Sequence, residues 1–532
     1  MRLKTIFGQR PIVLWTTKLK SLDSFALIGI ILFAAFLRLY RIADYMTFLG
    51  DEGRDVLVVY NILHGDLTLL GPTASVGGFF LGPIYYYFMT PFLFLFNYNP
   101  VGPAVMVALF GVATVGLVYK VGNEFFNKTA GLIAALLYSI SPLVISYSRS
   151  SWNPNLMPFF SLITLYVLYK ATVKNKIILF LLVGFLLGIT IQLHYLAVFL
   201  GVIATVYIFL CGLPRYIEII KRYAYVFAGF LIGWSPFIAF ELRHGFLNIK
   251  RVIAFVFNPQ GKDALNESLG FFPTIDNVFF RIFARLTANF PAPDQIDFYQ
   301  KSLLSFWQAG ILSLAILSSL LLLRKTYKLF KEKKEDSNKY LLLSIWLVVG
   351  IVLFGFYRKP IYDYYFGFLF PLPFLLVGNA LSFLISKKSW YRLASIGIFL
   401  ILIVLNLRGI PFRYEPNRQL KQVGTIAKFV VDKTEGKPYN FGLVTGGNSD
   451  HGYRYFFTVW GKEPVAIKTE AEDPQRKSVT DQLLVVCETL PCQSLGWPAW
   501  EISGFGRAEI AERWNVSVVE VQKLIHFEEK YE

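Results

Sequence analysis

The stretch Met46-Thr-Phe-Leu-Gly-Asp51-Glu52-Gly-Arg54-Asp55 places four charged side chains within five residues, directly after an apolar run of helix length. Charges beside a bilayer are costly unless they are paired or used in function. The run from Glu52 to about residue 63 can form one helix with Asp51 at its N-cap, so that Asp51 and Asp55 share a face. A plainer interpretation, in which Asp51 only caps the helix and Arg54 only pairs with it, fits the local pattern equally well.

The rest of the chain has the composition of an integral membrane protein, since 55% of its 532 residues are hydrophobic and only 16% are charged. A helix needs about 20 apolar residues to cross a bilayer. About eleven runs are long enough, at approximately 24–40, 101–119, 129–147, 156–171, 177–193, 196–212, 223–241, 303–323, 340–357, 365–386 and 392–409. A twelfth run, about 80–96, is predicted to lie along the outer surface, because counting it as a crossing reverses the sides of the basic loops that follow.

The net charge of +17 is spread over short loops rather than collected on one face, which argues against a nucleic-acid partner. The basic residues concentrate in alternate loops, as the positive-inside rule requires of cytoplasmic ones. The N-terminus is therefore predicted to be cytoplasmic and the C-terminus extracytoplasmic, in a bacterial plasma membrane. The loops assigned to the cytoplasm contain Lys120, Lys128, Lys170, Lys174, Lys176, Arg215, Lys221, Arg222, Lys387 and Lys388, and the run 324–339.

Two domains are predicted. Residues 1–410 form an all-α polytopic membrane domain, whose first outer loop (41–100) contains the charged stretch. From residue 411 the hydrophobic runs shorten to strand length, at 439–444 and 482–486, and alternate with helical stretches such as 419–434. Residues 411–532 therefore read as a small extracytoplasmic α/β domain. Cys487 and Cys492 in this domain fit a disulfide and two free thiols about equally well.

Polar side chains gather at the predicted outer ends of the helices. Snorkelling explains any one of the basic residues, but convergence from six separate places predicts a cavity that combines carboxylates with cations. The residues expected there are Asp51, Glu52, Arg54, Asp55, His64, Arg149, His194, Glu241, Arg243, His244, Arg358, Lys359 and Asp363.

Such a cavity suits group transfer from an anionic lipid. Arg149, Arg358 and Lys359 are the cations expected to hold a phosphate leaving group, on which negative charge builds as the bond to the sugar breaks. A nearby carboxylate would take the proton from an acceptor hydroxyl. Water-poor surroundings raise the pKa of a carboxylate, which is the direction that a base requires.

The motif Gly50-Asp51-Glu52-Gly-Arg54-Asp55, followed by Gly82-Pro83-Ile-Tyr-Tyr-Tyr, resembles the membrane glycosyltransferases of the GT-C class. The chain is most similar to the group of protein O-mannosyltransferases and aminoarabinose transferases (glycosyltransferase family 39-like), over residues 20–410 and most strongly over 36–160. The resemblance implies a polyprenyl-phosphate-linked sugar donor. It also implies that Asp51 is catalytic, that Glu52 is the second member of the acidic pair, and that Arg358 and Tyr362 contact the carrier phosphate.

One difference from the aminoarabinose transferases bears on the identity of the sugar. Where aminoarabinose transferases have Glu-Lys-Pro before the aromatic run, this chain has Leu81-Gly82-Pro83, which argues against aminoarabinose as the sugar. No cofactor is predicted, and a divalent metal is left open.

The predicted function is a glycosyltransferase, hexosyl or pentosyl, that acts on a protein, glycan or lipid acceptor. Inversion is favoured because a single displacement needs only one base. A transporter or lipid flippase is the alternative, but such proteins show broken helices in two related halves with ionisable groups at mid-membrane depth, and the sequence contains no such repeat. A non-catalytic scaffold whose outer domain binds a partner also remains open.

Overall fold

The computed structural model describes residues 22–74, 78–257, 270–291, 301–332, 334 and 336–527. Helices make up the membrane part, and short 3₁₀ turns join several of them. The first nine are α1 (Leu22–Leu39), α2 (Ile42–Tyr45), α3 (Gly50–Leu63), α4 (Ile84–Leu95), α5 (Val101–Phe125), α6 (Lys128–Ile140), α7 (Pro142–Tyr147), α8 (Met157–Lys174) and α9 (Ile177–Leu193). The next nine are α10 (Val198–Gly212), α11 (Tyr216–Gly233), α12 (Ser235–Arg243), α13 (Leu247–Phe257), α14 (Phe271–Thr287), α15 (Lys301–Lys331), α16 (Ser337–Val352), α17 (Pro371–Ile385) and α18 (Ser389–Arg408).

All eleven apolar runs predicted to cross the membrane fall on helices. Among the described residues, six helices are long and apolar enough to span a bilayer, and eight if α11 with α12, and the 3₁₀ turn before α17 with α17, are each counted as one bent span. The three remaining predicted spans coincide with the shorter apolar helices α1, α6 and α9. The run at 80–96 forms α4, whose 12 residues reach only about 18 Å at 1.5 Å per residue. The prediction of a polytopic all-α membrane protein is confirmed.

Helices α9 and α11 pack closely because both present glycine at a four-residue spacing. A β-carbon at Gly184 would overlap the carbonyl of Val226, and one at Gly229 would overlap the carbonyl of Leu181. Small residues at this spacing let two membrane helices approach until their backbones touch. This pairing fixes the position of the turn after α9, which lies beside the candidate site.

The helix ends sort into two groups, which we call the α3 end and the basic end. At the α3 end, Asn153 Nδ2 donates to the Leu193 carbonyl at 2.6 Å, joining the start of α8 to the end of α9. At the basic end, Lys170 pairs with Glu124. Contacts join the described basic loops at this second end, since Arg222 donates to Asn175, Cys211 to Asn338 and Ser382 to Asn127.

After residue 410 the chain forms the small α/β unit that the sequence predicts. Its helices are α19 (Gln419–Lys433), α20 (His451–Val459) and α21 (Trp500–Ser503), and its strands are β1 (Asn440–Val444), β2 (Gln482–Cys487), β3 (Ala508–Val516) and β4 (Val519–His526). The sheet order is β1-β2-β4-β3, with β1 and β2 parallel and the other pairs antiparallel. Strands β1 and β2 are buried along their whole length. Cys487 and Cys492 are joined as a disulfide, one of the two states that the sequence left open.

This C-terminal unit packs directly on α3. The backbone N–H of Gly50 donates to Asn448 Oδ1 at 2.8 Å. A β-carbon at Gly53 would overlap the backbone of Gly452 at the start of α20. The two glycines of the charged stretch therefore allow a contact that any larger residue would prevent, and the sheet domain closes over the α3 end of the helix bundle.

Candidate functional site

Arg54 connects the two aspartates of α3. Its Nη1 donates to Asp51 Oδ1 at 2.9 Å, and its Nη2 and Nε donate to Asp55 Oδ1 at 2.7 and 3.0 Å. Tyr86 on α4 adds a further bond to Asp55 at 3.2 Å. The Asp55 side chain is fully buried, whereas that of Asp51 is 56% exposed. Asp55 therefore holds Arg54, and Arg54 in turn orients the exposed carboxylate of Asp51.

Helix α3 begins two residues earlier than predicted, so Asp51 lies in the first turn and the N-cap residue is Leu49. Glu52 caps the helix instead, because its Oε2 accepts a hydrogen bond from the Leu49 backbone N–H at 3.0 Å. Glu52 is buried. Burial raises its pKa to about 7, against the opposing effect of its bonds to backbone N–H groups.

A cavity of about 510 Å³, which we call the outer cavity, lies where α3, the polar loop after α7 and the C-terminal domain meet. Its volume is within the range of ligand sites. The wall combines hydroxyl and amide groups, two aromatic rings and two carboxylates. It is lined by Thr47, Leu49, Gly50, Asp51, Glu52, Ser146, Tyr147, Ser150, Trp152, Asn155, Gly447, Asn448 and Ser449.

A second and much smaller space, the inner cleft, lies on the other side of Asp51 and has room for roughly one water. Asp51 and Trp152 belong to the walls of both spaces, so they form the partition between them. The other polar and aromatic groups of the inner cleft are Arg54, Thr73, Asn153, His194, Tyr195 and Tyr364.

His194 reaches the inner cleft as the sequence predicts. It is buried, and its Nδ1 accepts from the backbone N–H of Leu196 at 3.2 Å. The ring packs against Tyr195, Tyr364 and Tyr365. Burial lowers the pKa of His194 to about 3, so the imidazole is neutral at physiological pH and contributes a polar surface rather than a cation.

The strongest cation cluster at this end comes from residues that the sequence analysis did not select. Arg281 Nη2 and Arg285 Nε on α14 bind the two carboxylate oxygens of Asp363 at 2.5 and 3.0 Å. Arg281 also donates to the carbonyl of Ile361 at 2.8 Å. The spacing of four residues places both guanidiniums on one helix face, which is the signal that could have identified them.

Arg358, Lys359 and Tyr362 lie in the loop that Arg281 and Arg285 hold. Arg358 and Tyr362 are exposed, and Lys359 is half-buried. None of the three lines the outer cavity or the inner cleft. The loop therefore presents its cations to the surroundings of the site rather than to the wall beside Asp51.

Arg149 does not line either space, which corrects its predicted placement beside Asp51. The side chain is 1% exposed, and its Nη1 and Nη2 donate to the carbonyls of Leu37 and Tyr40, both at 2.8 Å. Its guanidinium also packs on the ring of Phe412. Arg149 thus ties the end of α1 to the polar loop, because a buried guanidinium needs acceptors and the free carbonyls at a helix end provide them.

Glu241, Arg243 and His244 also lie away from both spaces. Glu241 is buried and caps α13, accepting from the backbone N–H groups of Asn248 and Ile249 at 3.3 and 3.0 Å. Arg243 and His244 are exposed. The predicted convergence therefore holds for Asp51, Glu52, Arg54 and His194. It does not extend to this segment or to the buried Asp55, which lines neither space.

The side chains beside Asp51 are not arranged as ligands for a divalent cation. Arg54 lies between Asp51 and Asp55, so a guanidinium occupies the position in which both carboxylates would have to meet a metal. Across the described part of the chain, no group of three or more His, Cys, Asp or Glu side chains is arranged to hold a metal ion.

The buried carboxyl of Glu52 gives a testable pH dependence. Its folded pKa is raised from 4.5 to about 7, so its contribution to stability is fully present below pH 4.5 and is lost as the pH rises towards 7. We expect wild-type protein to lose roughly 2 to 3 kcal/mol over this window relative to Glu52→Gln, whose amide oxygen still accepts from Leu49. Thermal unfolding in detergent between pH 4.5 and 8 measures the difference. A difference that stays constant over this window, as expected for the exposed control Glu501→Gln, would contradict the assignment.

Comparison with known proteins agrees with this architecture. Residues 81–240 match the family described as dolichyl-phosphate-mannose-protein mannosyltransferase. A segment of 107 residues, 20% of this chain, is 30% identical to YkcB, a candidate mannosyltransferase of Bacillus subtilis, and spans 15% of that protein.

Two solved structures share the fold. ArnT from Cupriavidus metallidurans, bound to undecaprenyl phosphate, superposes with a TM-score of 0.58 at 12% identity, covering 94% of this chain and 97% of ArnT. The archaeal oligosaccharyltransferase AglB from Archaeoglobus fulgidus, in complex with an inhibitory peptide and a dolichol-phosphate, gives 0.53 at 13% identity, covering 87% and 69%. The resemblance predicted from the sequence is confirmed: residues 81–240 match the model of this mannosyltransferase family, and the chain has the fold of the ArnT and AglB structures, the GT-C fold.

Proposed function

We propose that the chain transfers a hexosyl or pentosyl group from a polyprenyl-phosphate-linked donor to a hydroxyl of a protein, glycan or lipid acceptor. The α3 end would face the extracytoplasmic side of the plasma membrane, because the basic loops gather at the opposite end. The N-terminus would then be cytoplasmic, and residues 411–532 would lie outside.

The observation that carries the proposal is the position of Asp51. Its exposed carboxylate belongs to the walls of both the outer cavity and the inner cleft. The two neighbouring acids of α3, Glu52 and Asp55, are buried. A base in sugar transfer must reach the hydroxyl of the acceptor, and Asp51 is the acid of this motif that lines the outer cavity with an exposed carboxylate.

The step itself is a single displacement. The acceptor oxygen attacks C1 of the sugar while Asp51 takes the hydroxyl proton, and the bond between C1 and the phosphate oxygen breaks. Its electron pair leaves with the carrier phosphate. One base and one attack from the side opposite the leaving group give inversion at C1.

The loop 357–363 is our proposed contact for the leaving phosphate. Arg358 and Lys359 supply positive charge, and Tyr362 a hydroxyl. Arg281 and Arg285 outnumber the single carboxylate of Asp363 that they share, so the loop has excess positive charge to stabilise an oxyanion. The lipids bound in the ArnT and AglB structures, undecaprenyl phosphate and dolichol-phosphate, support a lipid phosphate as this partner.

The proposal is tested by a donor screen. Membranes that contain the protein are incubated with radiolabelled polyprenyl-phosphate mannose, glucose and pentoses, and the label leaving the lipid-phosphate fraction is counted. We expect at least one donor to be consumed. Arg358→Ala should raise the KM for that donor by about tenfold while leaving the KM for the acceptor unchanged, because the lost contact is to the phosphate.

Consumption of none of these donors would contradict the proposal. If the purified protein instead moved fluorescent polyprenyl phosphate across vesicles at a rate independent of Asp51, the flippase alternative would replace it. A matched exposed cation outside the site, Arg413→Ala, controls for general loss of positive charge.

A further inference from the structure

The loop between β1 and α20, residues 445–450, forms part of the wall of the outer cavity, which Asp51 also lines. Gly447, Asn448 and Ser449 line the cavity. Asn448 reaches across to α3, accepting from the Gly50 N–H at 2.8 Å. The cavity wall is therefore assembled from both domains.

Asn448 is held by the carboxylate of Glu488, a residue that the sequence analysis did not select. Its Nδ2 donates to Glu488 Oε1 and Oε2 at 3.0 and 3.1 Å. Thr445 and Tyr453 also donate to Glu488, both at 2.9 Å. Three donors from the two sides of the loop converge on one carboxylate, so Glu488 fixes the loop conformation without lining the outer cavity itself.

Ser449 differs from Asn448 because it retains hydrogen-bonding capacity. Its Oγ is 2.8 Å from His451 Nδ1. Burial lowers the pKa of His451, so the imidazole is neutral at pH 7. A hydroxyl has one donor and two acceptor positions, and the bond to His451 uses one of these three.

The polar and charged groups in the wall of the outer cavity indicate which kind of ligand can bind there. Apart from Asp51 and Glu52, the polar lining consists of neutral hydroxyls and amides, and the rings of Tyr147 and Trp152 also belong to it. An anionic ligand would meet two carboxylates and, among the described residues of the wall, no Lys, Arg or His. The neutral polar and aromatic groups of this wall are Thr47, Ser146, Tyr147, Ser150, Trp152, Asn155, Asn448 and Ser449.

We infer that the 445–450 loop binds the acceptor, and that the acceptor group is a neutral, hydroxyl-rich sugar unit. Ser449 contacts this unit, and Glu488 is a positioning residue that acts through Asn448. This inference rests on the proposed function for the reaction, but the binding site itself is independent of it. The C-terminal domain would then determine acceptor choice, and the membrane domain would hold the donor.

The first test follows the fate of the donor sugar in membranes, where label can pass to the acceptor or to water. Ser449→Ala and Glu488→Gln are expected to lower the ratio of acceptor-linked to free sugar about fivefold, the effect of one lost hydrogen bond, while donor consumption continues. Ser503→Ala, an exposed serine of the same domain, should leave the ratio unchanged. A fall in donor consumption at constant ratio in the loop variants would overturn the inference.

The second test needs no turnover and separates this inference from the proposed function. Binding of neutral and anionic oligosaccharides, maltotriose and cellotriose against trigalacturonate, is followed by tryptophan fluorescence of the full-length protein in detergent. We expect weak saturable binding of a neutral trisaccharide that Ser449→Ala reduces and Ser503→Ala does not. If the trisaccharide binds in a loop-dependent way but no sugar donor is consumed, the acceptor site would stand and the proposed sugar transfer would be rejected. Absence of neutral binding, or tighter binding of trigalacturonate, would reject the site.

Discussion

Asp51→Asn is expected to lower the rate of sugar transfer by about 10²- to 10⁴-fold, the usual contribution of a general base. The amide oxygen can still accept from Arg54, whose Nη1 lies 2.9 Å from the carboxylate, so the local geometry should persist while the basic group is lost. Initial rates with the donor identified by the screen provide the measurement.

Asp66→Asn is the matched control for this change, because Asp66 is an exposed acid just after α3 that lines neither the outer cavity nor the inner cleft. The melting temperature and membrane level of Asp51→Asn should equal those of wild type, since the exposed carboxylate contributes little to stability. A variant that transfers sugar within tenfold of the wild-type rate would remove Asp51 from the reaction. The proposed function would then lose the observation on which it depends.

Gly53→Ala is expected to separate the two domains. Its new β-carbon would overlap the backbone of Gly452, and backbone cannot rotate away as a flexible side chain can. Overpacking of this kind costs about 1 to 3 kcal/mol, although alanine is otherwise the better helix former by about 1 kcal/mol. We expect transfer to an acceptor to fall at least 100-fold, because the loop that lines the outer cavity moves with α20.

Gly452→Ala is the control, since a β-carbon there would lie 3.5 Å from Val423 Cγ1, an ordinary contact. The rate of transfer and limited proteolysis in the linker between α18 and α19 should distinguish the two variants. Equal behaviour of both would mean that the domains are not held through this glycine contact. Packing of the C-terminal domain on α3 around the outer cavity would then not be required for activity.

Much of the fold could be predicted because bilayer crossing depends on local composition. Each of the eleven apolar runs became a helix, and the strands at 440–444 and 482–487 fell within one residue of the expected runs. Hydrophobic length and period 2 or 3.6 are properties of a short window, so no tertiary information was needed. The start of α3 was predicted less well, because Glu52 caps it from inside the helix.

The residues of the candidate site were also predicted only in part. Asp51, Glu52, Arg54 and His194 were predicted and lie at the two spaces, since each sits next to a helix end that the sequence identifies. Arg149 and Glu241 occupy equivalent positions in the sequence but are used internally, as a tie between backbone carbonyls and as a helix cap. Their partners are backbone groups, which leave no residue-specific signal in a sequence.

The sequence alone determined that this chain is a polytopic helical protein with an acidic motif after its first helix, because those features are set by hydrophobic length and by contiguous residues. Only the tertiary structure decided which charges meet. It placed Asn448 and Ser449, some 400 residues beyond Asp51, in the wall of the same cavity, with Glu488 holding Asn448. It also neutralised Asp363 with two arginines of α14. Such pairings depend on which backbones can touch, and two glycines in α3 are what allow the C-terminal domain to close over the site.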